Sequence, residues 1–332
     1  MAVRSGAGAV IPGHTQLIRQ LGWPEPSLWH QHWQRRHGLN LAREIWPAGV
    51  DPLWISGLAL PLLSLLERAA ASGQRHLIGL SALPGCGKST LGAWLQAAAA
   101  ELALPIAVVS LDDFYWPAAA MERCMRGNPW QAPRGLPGSH DLALLQESLA
   151  SWRQHGGLRV PQFDRALREG RGDRAGWRQL QAQVVLLEGW FLGVDPWSLE
   201  QERDAAALAQ ASPLEPTAEE LAYRPRILAA LRHYTPLWDQ LACLWHLQAP
   251  STAATVRWKQ QQEALLRRRS GVGMEAALFD PFVRMLQLAI LPTALQSIPR
   301  AHTVIQLDAE RRIEAIAVRS PSLTGVPCPL LG

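Results

Sequence analysis

The chain has 332 residues, of which 48% are hydrophobic and 18% are charged, with a formal net charge of +4. This composition excludes a disordered protein and is typical of one large globular domain, with or without an extension. The basic residues are dispersed, which disfavours a nucleic-acid partner, and the longest apolar run (53–66) is too short to span a bilayer.

The four cysteines, Cys86, Cys124, Cys243 and Cys328, are scattered without the spacing of metal ligands. Such cysteines are typical of reduced thiols. The first residues include no long apolar segment followed by a cleavage signal, which disfavours secretion. We therefore expect a cytoplasmic protein without nucleic-acid or membrane partners, and the sequence leaves its oligomeric state open.

Residues 1–74 are predicted to form a helical N-terminal extension. Apolar residues recur at helical spacing in 28–46 and in 58–73, with Pro and Gly between the two segments. No catalytic group of residues is evident here, and the Trp residues of this part are interpreted as packing residues, with a binding role as the less favoured alternative. The role of the extension is left open.

Residues 75–332 are predicted to form an α/β domain. Five short apolar runs are near-continuous rather than alternating, as in strands that are covered on both faces. They lie at 76–81, 105–111, 183–189, 241–248 and 302–307. Because predicted helices alternate with them, the pattern indicates a parallel β-sheet flanked by helices, with right-handed crossovers. The Pro- and Gly-rich stretch 128–141 is predicted to be a long loop that carries function.

The stretch SALPGCGKST (81–90) lies between the first predicted strand and a predicted helix, which is the setting of a phosphate-binding loop. It departs from the pattern G-x-x-x-x-G-K-[ST] only at Ala82, which stands in place of the first Gly. Gly85 and Gly87 would supply the unusual backbone angles of the loop.

Lys88 and Ser89 are the side chains of this loop that carry chemistry. Lys88 would neutralise charge on the β- and γ-phosphates, and the hydroxyl of Ser89 would bind Mg²⁺. Only two of the 32 Lys and Arg residues are lysines, Lys88 and Lys259. The alternative, a Gly-rich strand-to-helix turn, would not need Lys88, so we predict a working nucleotide site.

Acidic residues follow the next two predicted strands. Asp112 and Asp113 come after the second strand, and Glu188 ends the third. Ligands gather at the carboxyl ends of parallel strands, where an acid can accept a hydroxyl proton or meet Mg²⁺. The alternatives are a helix cap for the Asp pair and an ordinary Glu after an apolar run.

Residues 255–271 are predicted to form a basic helix. Its cations Arg257, Lys259 and Arg267 could close over transferring phosphates as a lid at about 255–275. The alternative is a solvated helix face on which Glu263 and Arg267 form an i,i+4 pair.

Seven motifs together resemble the D-glycerate 3-kinase family of plants and cyanobacteria, in the phosphoribulokinase/uridine kinase branch of P-loop kinases. They are SALPGCGKSTL (81–91), SLDDFY (110–115), GSHDL (138–142), VPQFD (160–164), GRGDRA (170–175), LLEGWFLG (186–193) and RWKQQQE (257–263). The resemblance covers about residues 75–315 and implies the P-loop NTPase fold. Ala is usual in that family at the place of Ala82, whereas Leu83-Pro84 replaces a Pro-Gln pair.

The resemblance implies an ATP- and Mg²⁺-dependent kinase that converts D-glycerate to 3-phosphoglycerate, completing photorespiratory carbon recovery in a photosynthetic source. Asp112 falls where related kinases place the carboxylate that accepts the hydroxyl proton, with Asp113 as the alternative, and Glu188 falls at the Mg²⁺-linked acid. The nucleotide contacts implied are Gly85, Cys86, Gly87, Lys88, Ser89, Thr90 and the lid residues Arg257, Lys259 and Arg267. The implied acceptor contacts are Asp113, Tyr115, Ser139, His140, Asp141, Asp164, Arg171 and Arg174.

Two other functions remain open from the sequence. One is another kinase of the same branch that acts on a nucleoside, pantothenate or a sugar phosphate. The other is a nucleotide-binding regulator that uses the loop as a switch, although such a protein would not need Asp112, Glu188 and lid cations together.

Overall fold

The computed structural model describes residues 11–196, 214–270, 276–319 and 328–331. Its centre is a six-stranded sheet, and a separate antiparallel pair lies outside it. The strands are β1 (His76–Ala82), β2 (Ile106–Ser110), β3 (Gly157–Asp164), β4 (Asp173–Gln181), β5 (Val184–Gly189), β6 (Cys243–Gln248), β7 (Thr303–Leu307) and β8 (Ile313–Val318). The strand order in the large sheet is β2-β5-β1-β6-β7-β8.

All five strands predicted from apolar runs are present in the large sheet and are mutually parallel. Every residue of β1 and β5 is buried, because these strands lie inside the sheet with helices on its faces. Burial on both faces explains why their sequences do not alternate. The predicted α/β fold class is confirmed.

Two features of the sheets were not predicted. Strand β8 pairs antiparallel with β7 at the sheet edge, and β3 pairs antiparallel with β4 to form a hairpin. In β4 exposed residues alternate with partly buried ones, since only one face of the hairpin is covered. Its sequence DRAGWRQLQ is therefore too polar to resemble a buried strand.

The helices flank the large sheet and complete the fold. They are α1 (His14–Gln20), α2 (Pro26–Arg35), α3 (Leu60–Ala71), α4 (Lys88–Glu101), α5 (Ala118–Met125), α6 (Leu142–His155), α7 (Ala218–Arg232), α8 (Thr235–Trp238), α9 (Thr252–Ser270), α10 (Ala276–Leu288) and α11 (Pro292–Gln296). Within the described ranges, no helix has the length and apolar content needed to cross a membrane.

The N-terminal part is helical but more broken than its pattern predicts. The segment expected to be one helix over 28–46 is α2 followed by two short 3₁₀ turns. His37 and Ala42 interrupt it, because both have positive φ, at 52° and 44°, and a helix cannot continue through such residues. The predicted helix over 58–73 corresponds to α3, which a π-helical turn at Ile55–Ala59 precedes.

Hydrogen bonds join the N-terminal part to the sheet domain. Ile316 N donates to Pro12 O at 2.8 Å, and Trp94 Nε1 in α4 donates to Leu41 O at 2.7 Å. The backbone N–H of Ala42 donates to the carboxylate of Glu101. The N-terminal part therefore packs on the edge of the sheet and on the helix that follows β1, and the division at residue 74 stays a prediction.

Candidate active site

The predicted phosphate loop connects β1 to α4 at the carboxyl end of the sheet. Gly85 and Gly87 have φ of +87° and +97°, a region that residues with a Cβ rarely adopt. Ala82 is the last residue of β1 and is fully buried. An extended strand residue does not need positive φ, so an Ala at this place leaves the loop intact.

Lys88 is the first residue of α4, and its side chain is buried. Its Nζ lies 3.4 Å from the carbonyl oxygen of Leu83, so the ammonium group is folded back over the loop. The N-terminus of α4 carries backbone N–H groups that lack partners within the helix and the positive end of the helix dipole. An anion at this place would meet both the lysine and these amides.

Asp112 follows β2, and Glu188 is the residue before the last in β5. These are the two strands on one side of β1. Glu188 is buried. Burial raises the pKa of its carboxyl group, against the opposing effect of the Lys88 charge. Burial would also raise the pKa of Asp112, but the Arg165 guanidinium and His140 hold that pKa well below its usual range. Asp112 is therefore a carboxylate at neutral pH.

Two side chains hold the carboxylate of Asp112. Arg165 Nη2 donates to Oδ2 at 2.6 Å, and His140 Nε2 lies 3.7 Å from Oδ1. Arg165 is partly exposed, with 43% of its side chain accessible to solvent, whereas the side chain of His140 is fully buried. The arginine can therefore exchange Asp112 for a bound ligand, while the histidine is a fixed part of the site.

The orientation of His140 is set by Tyr234. The Tyr234 hydroxyl accepts a hydrogen bond from Gly138 N at 2.9 Å and lies 2.8 Å from His140 Nδ1. The hydroxyl hydrogen then has Nδ1 as its acceptor, which leaves the ring hydrogen on Nε2, facing Asp112. Burial lowers the pKa of His140, so the ring is neutral, and its Nε2 faces Asp112 Oδ1 at 3.7 Å, beyond hydrogen-bond distance.

A cavity of about 510 Å³ joins the phosphate loop to Asp112, a volume in the usual range for ligand sites. Lys88, Ser89 and Thr90 line it at the loop, and Glu188 lines it beside β5. Around Asp112 its wall includes Tyr115, Arg134 and Arg165. The cavity thus brings the predicted phosphate loop together with Asp112, Glu188, Arg134 and Arg165.

Helix α9 lies over the phosphate loop and provides part of the cavity wall. A Cβ on Gly85 would lie 2.8 Å from Trp258 Cβ, so the helix and the loop are in close contact. Lys259 is buried and lines the cavity, where it forms a 2.6 Å ion pair with Glu263. Arg257 and Arg267 are not among the described residues that line the cavity. Both are exposed on the same helix.

Several predicted acceptor contacts have structural partners instead of a place in the cavity wall. Asp113 pairs with Arg178 of β4 at 2.8 Å. Asp141 caps α6 through Leu144 N and pairs with Arg174 at 3.0 Å.

Three further predicted acceptor contacts, Ser139, Asp164 and Arg171, also lie apart from the cavity. Ser139 Oγ donates to Leu136 O at 2.5 Å. Asp164 accepts from Ala166 N in an exposed turn, and Arg171 is exposed. Of the acceptor set, Tyr115 lines the cavity, and His140 lies directly behind Asp112.

Arg134, Arg165 and Tyr234 are functional candidates that sequence reasoning missed. Arg134 lies in the Pro- and Gly-rich loop at 128–141, and Arg165 directly follows the motif VPQFD. Both could therefore have been predicted from segments that the sequence already indicated. Arg134 is buried and donates to Gly170 O and Arg171 O. No local sequence pattern pointed to Tyr234, because it lies 94 positions from its partner His140 in the chain.

Cys86 lies inside the phosphate loop, yet we expect it to resist alkylation. Its side chain is fully buried, and burial raises the pKa of the thiol to about 12. Since the thiolate is the reactive form, native protein treated with iodoacetamide at pH 8 should keep Cys86 unmodified, as measured by peptide mass spectrometry. Protein unfolded in guanidinium is the positive control. Rapid modification of Cys86 in the native protein would contradict the buried placement.

The chain is similar in sequence to known kinases. No protein-family model matches the chain. It is 31% identical over 258 residues to chloroplastic D-glycerate 3-kinase of Arabidopsis thaliana, a match that covers 71% of this chain and 53% of that protein. An uncharacterized kinase of Schizosaccharomyces pombe is 28% identical over 228 residues, with 64% of this chain and 79% of the relative covered. The chain thus spans about half the length of the Arabidopsis protein.

The fold is also shared with solved structures. D-glycerate 3-kinase of Cryptococcus neoformans superimposes with a TM-score of 0.65 at 22% identity, over 79% of this chain and 99% of that one. The YGR205w protein superimposes with a TM-score of 0.55 at 24% identity, over 74% of this chain and 90% of the other. The chain has the P-loop kinase fold, and the resemblance to D-glycerate 3-kinases that its motifs indicate is confirmed.

Proposed function

We propose that this protein is an ATP-dependent kinase that phosphorylates D-glycerate to 3-phosphoglycerate. The main support for this proposal is the part of the cavity around Asp112, which we call the acceptor end. Arg134 and Arg165 line the cavity there beside the Asp112 carboxylate. Glycerate is small, with one carboxylate and two hydroxyls. A guanidinium group suits its carboxylate, and Asp112 suits a hydroxyl. The similarity to the Arabidopsis enzyme supports the same acceptor.

The phosphate loop would hold the β- and γ-phosphates of ATP. Lys88 and the amides at the start of α4 lie where negative charge would be bound. Phosphoryl transfer needs little covalent chemistry from the protein, so that positioning and charge stabilisation supply most of the rate. Lys259 on α9 lines the same cavity as an ion pair with Glu263 and would donate to the phosphates, while the enclosing helix limits access of water.

The residues beside the loop fit Mg²⁺. Within the described part of the chain, no cluster of three or more His, Cys, Asp or Glu residues could hold a metal. Ser89 and Glu188 nevertheless offer hard oxygen donors on the cavity wall, and Mg²⁺ is usually held by one or two such groups together with phosphates and water. When bound, the ion would neutralise charge on the phosphates.

Asp112 would orient the acceptor hydroxyl and accept its proton. A carboxylate with a low pKa is a weak base, but the proton transfers late in a loose phosphoryl-transfer transition state. The guanidinium of Arg165, now on Asp112 at 2.6 Å, would move to the glycerate carboxylate when the acceptor binds. This exchange would release Asp112 for the hydroxyl.

Product analysis tests the proposed reaction. Purified protein is incubated with Mg²⁺, ATP and D-glycerate, and the products are resolved by mass spectrometry and ³¹P NMR. We expect stoichiometric ADP and 3-phosphoglycerate. Uridine, pantothenate and a sugar phosphate serve as competing acceptors in parallel reactions. Turnover confined to one of these compounds would identify it as the acceptor in place of glycerate. ATP binding without any turnover would support a nucleotide-binding regulator.

We expect Tyr234→Phe to act through His140. The variant loses the hydroxyl that sets the ring hydrogen on Nε2, and kcat should fall about tenfold for one such buried hydrogen bond. Because His140 helps to lower the pKa of Asp112, a change in the orientation or tautomer of its ring should move the acidic limb of kcat/KM to higher pH. The KM for ATP should stay near the wild-type value.

Tyr223→Phe is the matched control, because Tyr223 lies in α7 and contacts the ring of Trp130 instead of His140. It should show normal kcat and an unchanged pH profile. A lower melting temperature of Tyr234→Phe with an unchanged acidic limb would assign Tyr234 a purely structural role.

The cytoplasmic location and the photorespiratory role predicted from the sequence stay predictions. The reaction proposed above depends on neither of them.

A further inference from the structure

The order of the strands gives the cavity two different ends. The phosphate loop follows β1, and the strands on one side of β1 lead to Glu188 and Asp112. The strands on the other side are β6, β7 and β8, and the β7–β8 turn at 308–312 lies there. A nucleotide whose phosphates lie on the loop and whose γ-phosphate faces Asp112 must therefore extend its nucleoside toward the β7–β8 turn.

An N-terminal segment, residues 46–54, is attached at this second end. Trp54 Nε1 donates to the carbonyl oxygen of Arg311, in the β7–β8 turn, at 2.6 Å. The ring of Trp54 also lies against the phosphate loop, because a Cβ on Gly87 would be 3.0 Å from it. The ring of Trp46 lies 6.2 Å from that of Trp54 and 5.9 Å from that of Trp94 in α4. Aromatic contacts thus hold both ends of the segment in place.

Between its two tryptophans the segment faces the cavity. Ala48, Val50 and Asp51 line the same cavity as Lys88. Ala48 is exposed and Val50 is half-buried, so their side chains border open space. The N-terminal part, for which the sequence indicated no role, therefore supplies one wall of the site.

Carboxylates lie at the end of the cavity near the β7–β8 turn. Asp51 and Glu310 line it there together with the apolar side chain of Val50 and with Arg311, whose guanidinium donates to Gly85 O at 3.0 Å. Asp51 Oδ1 accepts from Leu53 N at 2.9 Å, which fixes the direction of its side chain. Carboxylates accept hydrogens from hydroxyl and amino groups. These side chains therefore suit the hydroxyls of a sugar and the amino group of a base.

We infer that the 46–54 segment and Glu310 form the nucleoside subsite of the cavity, which takes the ribose and base of a nucleoside triphosphate. The inference rests on the proposed function in taking the loop as the phosphate end. It makes the N-terminal part a component of the nucleotide site and a determinant of nucleotide affinity.

Binding measurements separate the two halves of the nucleotide. Mg²⁺·ADP and Mg²⁺·pyrophosphate, which carry the same number of phosphates, are titrated by calorimetry into wild type, Val50→Trp and Ala48→Trp. The added rings fill the proposed subsite, so the affinity for ADP should fall about tenfold or more. The affinity for pyrophosphate should stay within about twofold of wild type. Leu39→Trp, a change at an exposed residue of the N-terminal part that does not line the cavity, should bind both ligands normally.

The outcomes are distinct. An unchanged affinity for ADP in both variants, or equal losses of ADP and pyrophosphate, would overturn the subsite, and retained pyrophosphate binding shows that a variant is folded. Wild-type protein that bound neither ligand would overturn the proposed kinase function together with the subsite. A failure of D-glycerate as acceptor, with the ADP results as expected, would leave the subsite standing.

Discussion

Lys88→Ala should reduce kcat/KM for ATP by about three orders of magnitude or more, because a lysine of this kind stabilises charge on the transferring phosphates. The side chain is buried at the start of α4, and its hydrogen bond to Leu83 O is long, at 3.4 Å. The variant therefore gives up little stabilisation in the absence of ligand, and we expect its melting temperature to stay within a few degrees of wild type. Coupled ADP-release kinetics and calorimetry measure the two effects.

Lys88→Arg sharpens the test. A guanidinium is broad and planar where the ammonium is compact, and Lys88 lies in a buried place between loop and helix. We expect this variant to lose most of its activity although the charge is kept. Arg300→Ala is the control, since it removes an exposed pair with Asp239 that contributes little to stability. A Lys88→Ala variant with more than a tenth of the wild-type kcat/KM would contradict the phosphate assignment.

The phosphate loop and the acids beside it were predictable because each depends on local pattern. A buried strand, a Gly-rich loop and a helix are consecutive in the sequence, and Asp112 and Glu188 directly follow apolar runs. Parallel strands bring their carboxyl ends to one edge of a sheet. The fold alone therefore places these residues together.

The acceptor end was less predictable because it depends on pairings between distant segments. Arg174 was a candidate for the acceptor carboxylate, but the β3–β4 hairpin places it on Asp141, at 3.0 Å. Arg165, at the end of the same hairpin, lies on Asp112 instead. The register of the β3–β4 hairpin determines which arginine faces the cavity. Because β4 is polar, its sequence has no apolar pattern from which this register could be predicted.

The role of the 46–54 segment was also not predictable from the sequence. Its contribution to the cavity comes from contacts with Arg311 and Gly87, and neither contact has a counterpart in a local motif. Its tryptophans were interpreted as packing residues, and both are buried. The side chains between them line the cavity. One short segment therefore both packs against the domain and forms part of the cavity wall.

Asp112→Asn should lower kcat by about two to four orders of magnitude, the usual contribution of a positioned general base, with little change in the KM for ATP. Asn has the same shape but cannot accept the proton. Because burial is outweighed by Arg165 and His140, the pKa of Asp112 lies well below its usual range. The wild-type carboxylate is therefore fully charged at neutral pH, and the variant removes a charge that is present throughout the working range.

This variant should also lower the free energy of unfolding at neutral pH. The Asp112 side chain is only 23% exposed and pairs with Arg165 at 2.6 Å, and its lowered pKa means that the charge stabilises the folded state. Because 43% of the Arg165 side chain is exposed, water solvates the guanidinium in part and limits this loss. Since the folded-state pKa is lowered, whatever stability the Asp112 charge contributes is present at neutral pH and is lost as the pH falls through that low pKa. Urea unfolding of both proteins at pH 7 measures the difference.

Asp113→Asn is the matched control for Asp112→Asn, because the two residues are adjacent and differ in environment. Asp113 pairs with Arg178 on β4, and burial raises its pKa while Arg178 opposes the shift. It is absent from the described cavity wall. We expect Asp113→Asn to keep kcat within about threefold of wild type, because the half-buried pair of Asp113 with Arg178 contributes to stability and not to the cavity wall. The reverse result, a normal Asp112→Asn and an inactive Asp113→Asn, would transfer the base to Asp113, since only one of these neighbouring carboxylates can reach the acceptor hydroxyl beside the phosphate loop.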